Sequence, residues 1–421
     1  MLPLVSVGIP VYNGGRYLEN SINSIIKQDY QNLEIIISDN ASTDETFKIC
    51  TYYALKDKRI RYSREDQNKG SAYNFNKVFD LSNGDYFMWC AHDDYYDPSY
   101  IKKCVSTLEQ FPDALQCVSD VIIIDEHDKK REVKFNMHQT LNKSPEERII
   151  DLFGTMWWVQ FYGLYRPEAI KNTMVDFGKY GSDVLFILEV ILKGDVVKVD
   201  EPLFYYRFPI RPKTAIDMAH TISPVKASEM IKTPYTDLAR EIIKVILESN
   251  YSKAQNDKLV ELFLKTSLSN YRYWVDHVIR EHRNILTVPL LKVGREEIAR
   301  EIITSGADND WLKEIIEKYS ITPLRMKAIT GDRPIYLWGA GAAGIEIFSA
   351  LHSNGIHICG YIDRDPSKTG LWINGIEVFN PEHVFALNER PYVLIASMYA
   401  DQISETLASN GWIENGDYME M

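Results

Sequence analysis

Tyr86-Phe87-Met88-Trp89-Cys90-Ala91-His92-Asp93-Asp94 decides how this chain is read. An unbroken apolar run, Tyr86 to Ala91, stops abruptly at two carboxylates. Such a run reads as a buried strand of a parallel sheet. Carboxylates at the carboxyl end of a central strand stand where open α/β sheets bind ligands. Paired Asp oxygens suit a hard divalent cation, Mn2+ or Mg2+, and such a cation commonly accompanies a substrate diphosphate. The alternative is a polar turn with a helix cap. That task fits Asp97 better, because it precedes Pro98 and a helical stretch over residues 99–111, in the order N-cap then Pro at N1. Asp93 and Asp94 are then left without a structural task.

Outward from this strand, helices and strands alternate. Residues 4–11, 33–38, 60–63 and 114–125 read as strands, and residues 16–27 and 71–81 as helices. Ser42 and Glu45 have capping-box spacing, which makes Ser42 a helix cap. This order predicts an α/β fold, a doubly wound, mainly parallel sheet with right-handed crossovers. Residues 142–207 are mixed and rich in aromatic side chains. From about residue 223 to 329 the pattern is helical, with Tyr235, Leu238, Ile242 and Ile246 on one face. A last α/β unit begins at Ile335. The predicted domains are residues 1–215, a helical region over 216–330 and a small α/β domain over 331–421.

The 421 residues allow two or three domains, and 45% hydrophobic with 25% charged residues is ordinary for a globular protein. A net charge of −12 disfavours nucleic acid as a partner and gives no global attraction to anionic lipid. Five cysteines without Cys-x-x-Cys spacing point to a reducing compartment and away from a structural zinc site. The N-terminus has no basic region or small-residue cleavage site, so no signal peptide is expected. No apolar run reaches spanning length. The expected location is cytoplasmic. A local basic face on the middle helices leaves peripheral contact with the inner face of the membrane open.

Val7-Gly8-Ile9-Pro10-Val11-Tyr12-Asn13-Gly14-Gly15-Arg16-Tyr17-Leu18 resembles the opening of the inverting glycosyltransferases of family 2, which have the GT-A fold. Glu34-Ile35-Ile36-Ile37-Ser38-Asp39-Asn40-Ala41-Ser42-Thr43-Asp44 does so too. Asn68-Lys69-Gly70, Asn74 and Gly84-Asp85-Tyr86 follow in the family's order. The resemblance covers roughly the first half of the chain. It implies that Pro10, Tyr12 and Asp39 line a nucleotide-base pocket, with Asp39 accepting a hydrogen bond from the base. An Asx turn is the competing task for Asp39. Lys69 or Arg16 would face the diphosphate, and the sequence does not choose between them.

The family's metal motif is Asp-x-Asp followed by a further Asp. Here Ala91 stands in place of the first Asp. The resemblance makes Asp93 the ligand of Mn2+ or Mg2+ and places Asp94 at the nucleotide-sugar. His92 would add an imidazole ligand or bond the donor, although a lone His beside a turn is more often structural. Tyr180-Gly181-Ser182-Asp183-Val184-Leu185-Phe186 resembles the acidic pair that opens a helix on the acceptor side, with Ser182 in the first place. Asp183 would be the base that takes the acceptor's proton; its competing task is a helix N-cap. Trp157 and Trp158 would stack on a sugar or pack in the core.

In the last unit, Gly339-Ala340-Gly341-Ala342-Ala343-Gly344 lies between a strand and a helix, with Asp363 about twenty residues on. Trp338 to Asp365 resembles the truncated Rossmann-like domain attached to some sugar acetyltransferases and methyltransferases. It implies a second nucleotide site at Gly339, Gly341, Gly344 and Asp363. The alternative is a glycine turn that packs helix on strand.

The expectation from sequence is thus a metal-dependent inverting glycosyltransferase. It would move a sugar from a nucleotide-sugar donor, UDP-linked, to a glycan or lipid-linked glycan acceptor. A non-catalytic nucleotide-sugar-binding scaffold is the main alternative, and a nucleotidyltransferase a lesser one. An NAD-dependent enzyme built on the last unit is a third. Donor sugar, acceptor, linkage and oligomeric state are not legible.

Overall fold

The computed structural model describes residues 2–134, 139–155, 158–171, 173, 179–208, 233–270, 272–281, 292–304, 322–397 and 399–420. The chain forms two compact units, Met1–Asn270 and Tyr271–Met421. The expected boundary at residues 215 and 216 lies outside the described residues.

The first unit is built on β1 (Val5–Val11), β2 (Leu33–Asp39), β3 (Ile60–Arg64), β4 (Tyr86–Trp89), β5 (Tyr95–Tyr96), β6 (Ala114–Ile124), β7 (Lys130–Lys134), β8 (Leu164–Tyr165) and β9 (Asp195–Arg207). Every residue of β1 and β4 is buried, as interior strands covered on both faces must be. The sheet runs β3-β2-β1-β4-β8-β6-β9-β5, with β7 on β6. β1, β2, β3 and β4 pair in parallel, and so do β6 and β9. The contacts of β8 with β4 and β6 are antiparallel, which makes the sheet mixed. Helices Leu18–Ile26, Thr46–Lys56 and Ser71–Asp80 provide the crossovers. The first buries Leu18, Ile22 and Ile25, a stripe at helical spacing.

One aromatic cluster fixes where β4 ends. Trp89 is fully buried and stacks on Phe161 at 4.8 Å, while Phe87 and Phe186 meet it edge-on. Its Nε1 donates to the Phe75 carbonyl at 3.0 Å. Each such ring pair is worth about 0.5–1.5 kcal/mol beyond its buried area. The strand therefore delivers residues 91–94 to one fixed place.

Ser42 does not cap a helix. The helix begins at Thr46, and Asp44 Oδ1 accepts the Thr46 N–H at 3.0 Å. Asp39 closes the turn by accepting the Ser42 N–H at 2.8 Å, and the Ser42 hydroxyl then accepts the Asn13 N–H at 2.9 Å. Its oxygen is spent on the loop that leaves β1.

The second unit carries β10 (Ile335–Trp338), β11 (Gly360–Ile362), β12 (Trp372–Ile373), β13 (Ile376–Phe379), β14 (Tyr392–Ile395) and β15 (Tyr418–Glu420). Their order is β12-β13-β11-β10-β14-β15, all parallel except the β12–β13 hairpin. β10 shows the strand period of two. Ile335 and Leu337 enter one core with Phe348 and Leu351, and Tyr336 and Trp338 enter the other with Leu407 and Trp412. Helix Pro323–Thr330 adds Met326 to the first of these cores. No helix of the described residues is long and apolar enough to cross a membrane.

Candidate active site

β1, β2 and β4 run parallel, so their carboxyl ends open on the same edge of the sheet. Val11 lies beside Asp39, and Gly8 beside Trp89. The loop leaving β1 presses on the loop leaving β4 at Gly14. A Cβ there would sit 2.6 Å from Val11 Cγ2 and 2.8 Å from His92 Cδ2. The missing side chain is what lets the half-buried His92 ring lie against β1.

The two neighbouring carboxylates point to different fates. Asp94 is 2% exposed, and its Oδ1 accepts the main-chain N–H of Arg207 at 2.8 Å. Burial pushes its pKa well up, and the charge of Asp93 adds to this; the Arg207 N–H and guanidinium pull the other way. Asp94 therefore has a structural task that its sequence context did not reveal. Asp93 is half-buried. Only its main-chain oxygen is engaged, by Arg207 Nε at 2.9 Å; its carboxylate has no hydrogen-bond or ion-pair partner among the described residues.

Asp183 is the second residue of helix Ser182–Lys193 and follows Gly181. Gly181 adopts φ +69, and a Cβ there would meet Leu238 Cδ2 at 2.6 Å, so this helix start is locked against helix Pro234–Leu247. Asp183 Oδ1 accepts the Val184 N–H at 2.9 Å. Burial raises its pKa. It does not occupy the N-cap, which is Gly181.

Tyr162 and Tyr206 show that the three carboxylates share one space. Burial raises both phenol pKa values, and Asp94, Asp93 and Asp183 each push them further. Two segments far apart in sequence, the Asp93–Asp94 turn and the start of helix Ser182–Lys193, thus bring their charges near the same pair of phenols. The Phe204 and Tyr206 rings of β9 and the Phe208 ring just after it follow one another, 6.2 and 6.4 Å apart, and Phe208 is exposed. Strand alternation puts Phe204 and Tyr206 on one face, a face the tryptophan spacing in the sequence does not mark. Trp158 is half-buried at the start of the turn Val159–Tyr162, and Trp157 lies outside the described residues.

At the other end of the crevice, Pro10 is buried within β1 opposite Ser38, and Tyr12 is exposed. Asp39 is fully buried. Its Oδ1 accepts from Ser42, its Oδ2 accepts the Tyr62 hydroxyl at 3.0 Å, and Arg64 Nη1 stands 3.7 Å away. Asn40 holds the Asn68-Lys69-Gly70 loop by donating to Asn68 Oδ1 and accepting the Lys69 N–H. The Lys69 side chain pairs with Glu65 at 2.6 Å, and Arg16 reaches the Glu126 carbonyl at 3.4 Å. Asn74 donates to the Val11 and Ser38 carbonyls, but its buried Oδ1 and the Ser38 hydroxyl have no partner among the described residues. Leaving such buried polar atoms unmatched is costly.

Among the described residues, no three carboxylate, imidazole or thiolate groups converge closely enough to hold a metal unaided. The acids present fit a different kind of site. Mg2+ and Mn2+ are commonly held by one or two carboxylates together with substrate phosphates and water, and Asp93 offers an unengaged hard oxygen.

In the second unit, Gly339 has φ +123 and a Cβ there would lie 2.4 Å from the Ala396 carbonyl; one on Gly344 would lie 1.7 Å from the Gly339 carbonyl. Both glycines are demanded by packing. Gly341 has nothing within 4 Å of its Cβ position. Asp363 accepts the Ala340 N–H at 3.0 Å and Lys368 Nζ at 2.8 Å on one oxygen, and the Asp365 N–H on the other.

Residues 6–166 match the profile described as Glycosyl transferase family 2. They are a family 2 glycosyltransferase domain. Glycosyltransferase GlyG of Streptococcus pneumoniae is 32% identical over 128 residues, 30% of this chain and 42% of that protein. An uncharacterized glycosyltransferase of Rickettsia typhi is 39% identical over 108 residues, 26% of this chain and 33% of its own length. The chain thus spans less than half of these relatives. Among solved structures, S. aureus TarS 1-349 in complex with UDP superposes with a TM-score of 0.52 at 19% identity, covering 75% of this chain and 87% of TarS 1-349. The same TarS fragment in complex with UDP-GlcNAc gives 0.51 at 18%, covering 75% and 91%. The shared fold is the expected GT-A fold. The family 2 domain contains the Asp93–Asp94 turn and the Asp39 crevice, and Asp183 lies beyond its last matched residue.

Proposed function

We propose that this protein is a metal-dependent inverting glycosyltransferase that moves a sugar from a UDP-linked donor to a hydroxyl of a glycan or lipid-linked glycan. The observation that carries this reading is the free Asp93 carboxylate, set with Asp94 and Asp183 around Tyr162 and Tyr206. The family 2 match and the TarS structures with UDP and UDP-GlcNAc support the donor class.

In this reading the donor base lies against Pro10, Tyr12 and Asp39. Asp93 would hold Mn2+ or Mg2+ against the diphosphate, with His92 beside it and Asp94 behind the turn. Bound there, the cation would stabilise negative charge on the leaving diphosphate. Lys69 would swing from Glu65 to the phosphates. Asp183 takes the proton from the acceptor hydroxyl as its oxygen bonds to the anomeric carbon and the carbon–phosphate oxygen bond breaks. A carboxylate whose pKa is raised by burial is the better proton acceptor. The acceptor would lie against Tyr206, Phe208 and Trp158.

The division into residues 1–215, 216–330 and 331–421 belongs to this proposal. For the glycine loop of the second unit the reading is nucleotide-sugar binding. Its support is Gly341, which leaves the start of helix Ala342–Ser353 open to a phosphate. Asp363 would brace that loop rather than the ribose.

The test is turnover over a panel of UDP-, GDP-, dTDP- and CMP-sugars with Mn2+, Mg2+ or EDTA, reading released nucleotide. Metal-dependent release from a UDP-sugar is expected. Release that ignores EDTA would overturn the metal dependence, and no turnover of any donor would end the catalytic proposal and leave the scaffold reading.

A further inference from the structure

Arg207, at the end of β9 and 6% exposed, is a heavily engaged buried charge of the first unit. Its Nε donates to the Asp93 carbonyl at 2.9 Å, its Nη1 to the Asp125 carbonyl at 2.6 Å, and its Nη2 to Asp128 Oδ1 at 2.5 Å. The guanidinium lies 4.0 Å from the centroid of the Tyr17 ring. Its own main-chain N–H donates to Asp94 Oδ1 at 2.8 Å. One residue thus grips the carboxylate turn at two points. Its side chain holds the main chain of Asp93, and its main chain holds the side chain of Asp94.

That double grip has a directional consequence. Two adjacent carboxylates repel and would share water if the turn were loose. Arg207 draws the Asp94 carboxylate inward and fixes the Asp93 carbonyl, so the remaining group, the Asp93 carboxylate, is left pointing free. The guanidinium cannot follow a moving turn, because Asp128 and the Asp125 carbonyl anchor its far end and Tyr17 covers its face. A planar fork with several fixed donors suits this task, and an ammonium does not reproduce it.

We infer that Arg207 is a positioning residue that aims the Asp93 carboxylate at the cation and diphosphate of the donor. The inference rests on the function proposed above. Groups that orient a metal ligand without touching the metal typically change its affinity about 10–100-fold when replaced.

The test is a calorimetric titration of Mn2+ into the full-length protein held with UDP, for wild type, Arg207→Lys, Asp128→Asn and Arg148→Lys. Arg148 is the control. It is another networked arginine, bonded to Asp195 at 2.5 Å and to the Ile191 and Gly194 carbonyls, with no contact to the carboxylate turn. Arg207→Lys is expected to raise the Mn2+ dissociation constant about tenfold or more. Asp128→Asn, which loosens only the outer anchor, should raise it by a smaller factor and serves if Arg207→Lys does not fold. Arg148→Lys should leave it unchanged while lowering the melting temperature. An unchanged constant in Arg207→Lys or, should that variant not fold, in Asp128→Asn overturns the positioning role, and so does an equal rise in Arg148→Lys. A wild type that binds no UDP with or without Mn2+ overturns the proposed function, and this inference with it.

Discussion

Replacing Asp183 by Asn should move activity and stability in opposite directions. The amide is isosteric and keeps an oxygen for the Val184 N–H, which Asp183 accepts at 2.9 Å. The helix start locked by Gly181 and Leu238 is therefore unchanged. What disappears is a buried negative charge. Burial raises the pKa of Asp183, so the folded protein holds this proton more tightly than the unfolded chain does. Such a group favours the folded state fully below the unfolded pKa, and that contribution is lost as pH rises through the folded pKa. Wherever the wild-type carboxylate is ionised in the folded state it bears the cost of a buried charge, whereas Asn carries no charge to penalise. Asp183→Asn should therefore melt no lower than wild type at pH 7, and any advantage should vanish in acid. The rate should fall about 10²–10⁴-fold, the usual worth of a general base, or about 2.7–5.5 kcal/mol on the barrier. The wild-type rate should decline on the acid side at a pH above the ordinary carboxylate range. The assay is initial nucleotide release with acceptor present, alongside thermal melts across the same pH values. A rate within about tenfold of wild type would refute the base assignment. A lost rate with a collapsed melting temperature would show that Asp183 only holds the helix.

Three further outcomes test the packing that positions the site. Gly14→Ala drives a methyl to within 2.6 Å of Val11 and 2.8 Å of His92, and should cost about 1–3 kcal/mol in a urea titration; an unshifted midpoint would mean that the loops are not pressed together. Trp89→Ala removes the ring that meets Phe161, Phe87 and Phe186, and should cost about 3–5 kcal/mol by the same measurement, with a loss near 1 kcal/mol contradicting the anchoring role. In the second unit, Gly344→Ala collides with the Gly339 carbonyl at 1.7 Å and should lower its calorimetric melting transition sharply, whereas Gly341→Ala should be neutral or stabilising by up to about 1 kcal/mol. Equal effects of the two would contradict the loop geometry.

The parts of this molecule that were legible in its sequence are those set by local pattern. The apolar run ending at Asp93 and Asp94 marked both a central strand and its open end, because a strand covered on both faces must be apolar throughout. The alternation of strands and helices gave the first sheet, and the glycine spacing after Trp338 located the strand–turn–helix of the second. Contacts between distant segments were not legible. Arg207 meets Asp93 and Asp94 across more than a hundred residues, and nothing near it in the chain announces that. Strand pairing likewise hid Tyr62 on Asp39, and separation in sequence hid Tyr206 beside the three acids. Ser42 was misread for a related reason. Its spacing to Glu45 is that of a capping box, but Asn13 from another loop takes its hydroxyl first.

The most direct test of the central claim is a calorimetric titration of UDP into the protein, with Mn2+ and with EDTA, for wild type and Asp93→Ala. Binding that requires Mn2+ in wild type and is lost in Asp93→Ala is the expected result. Binding of equal strength with EDTA, or an unchanged isotherm in Asp93→Ala, would contradict it.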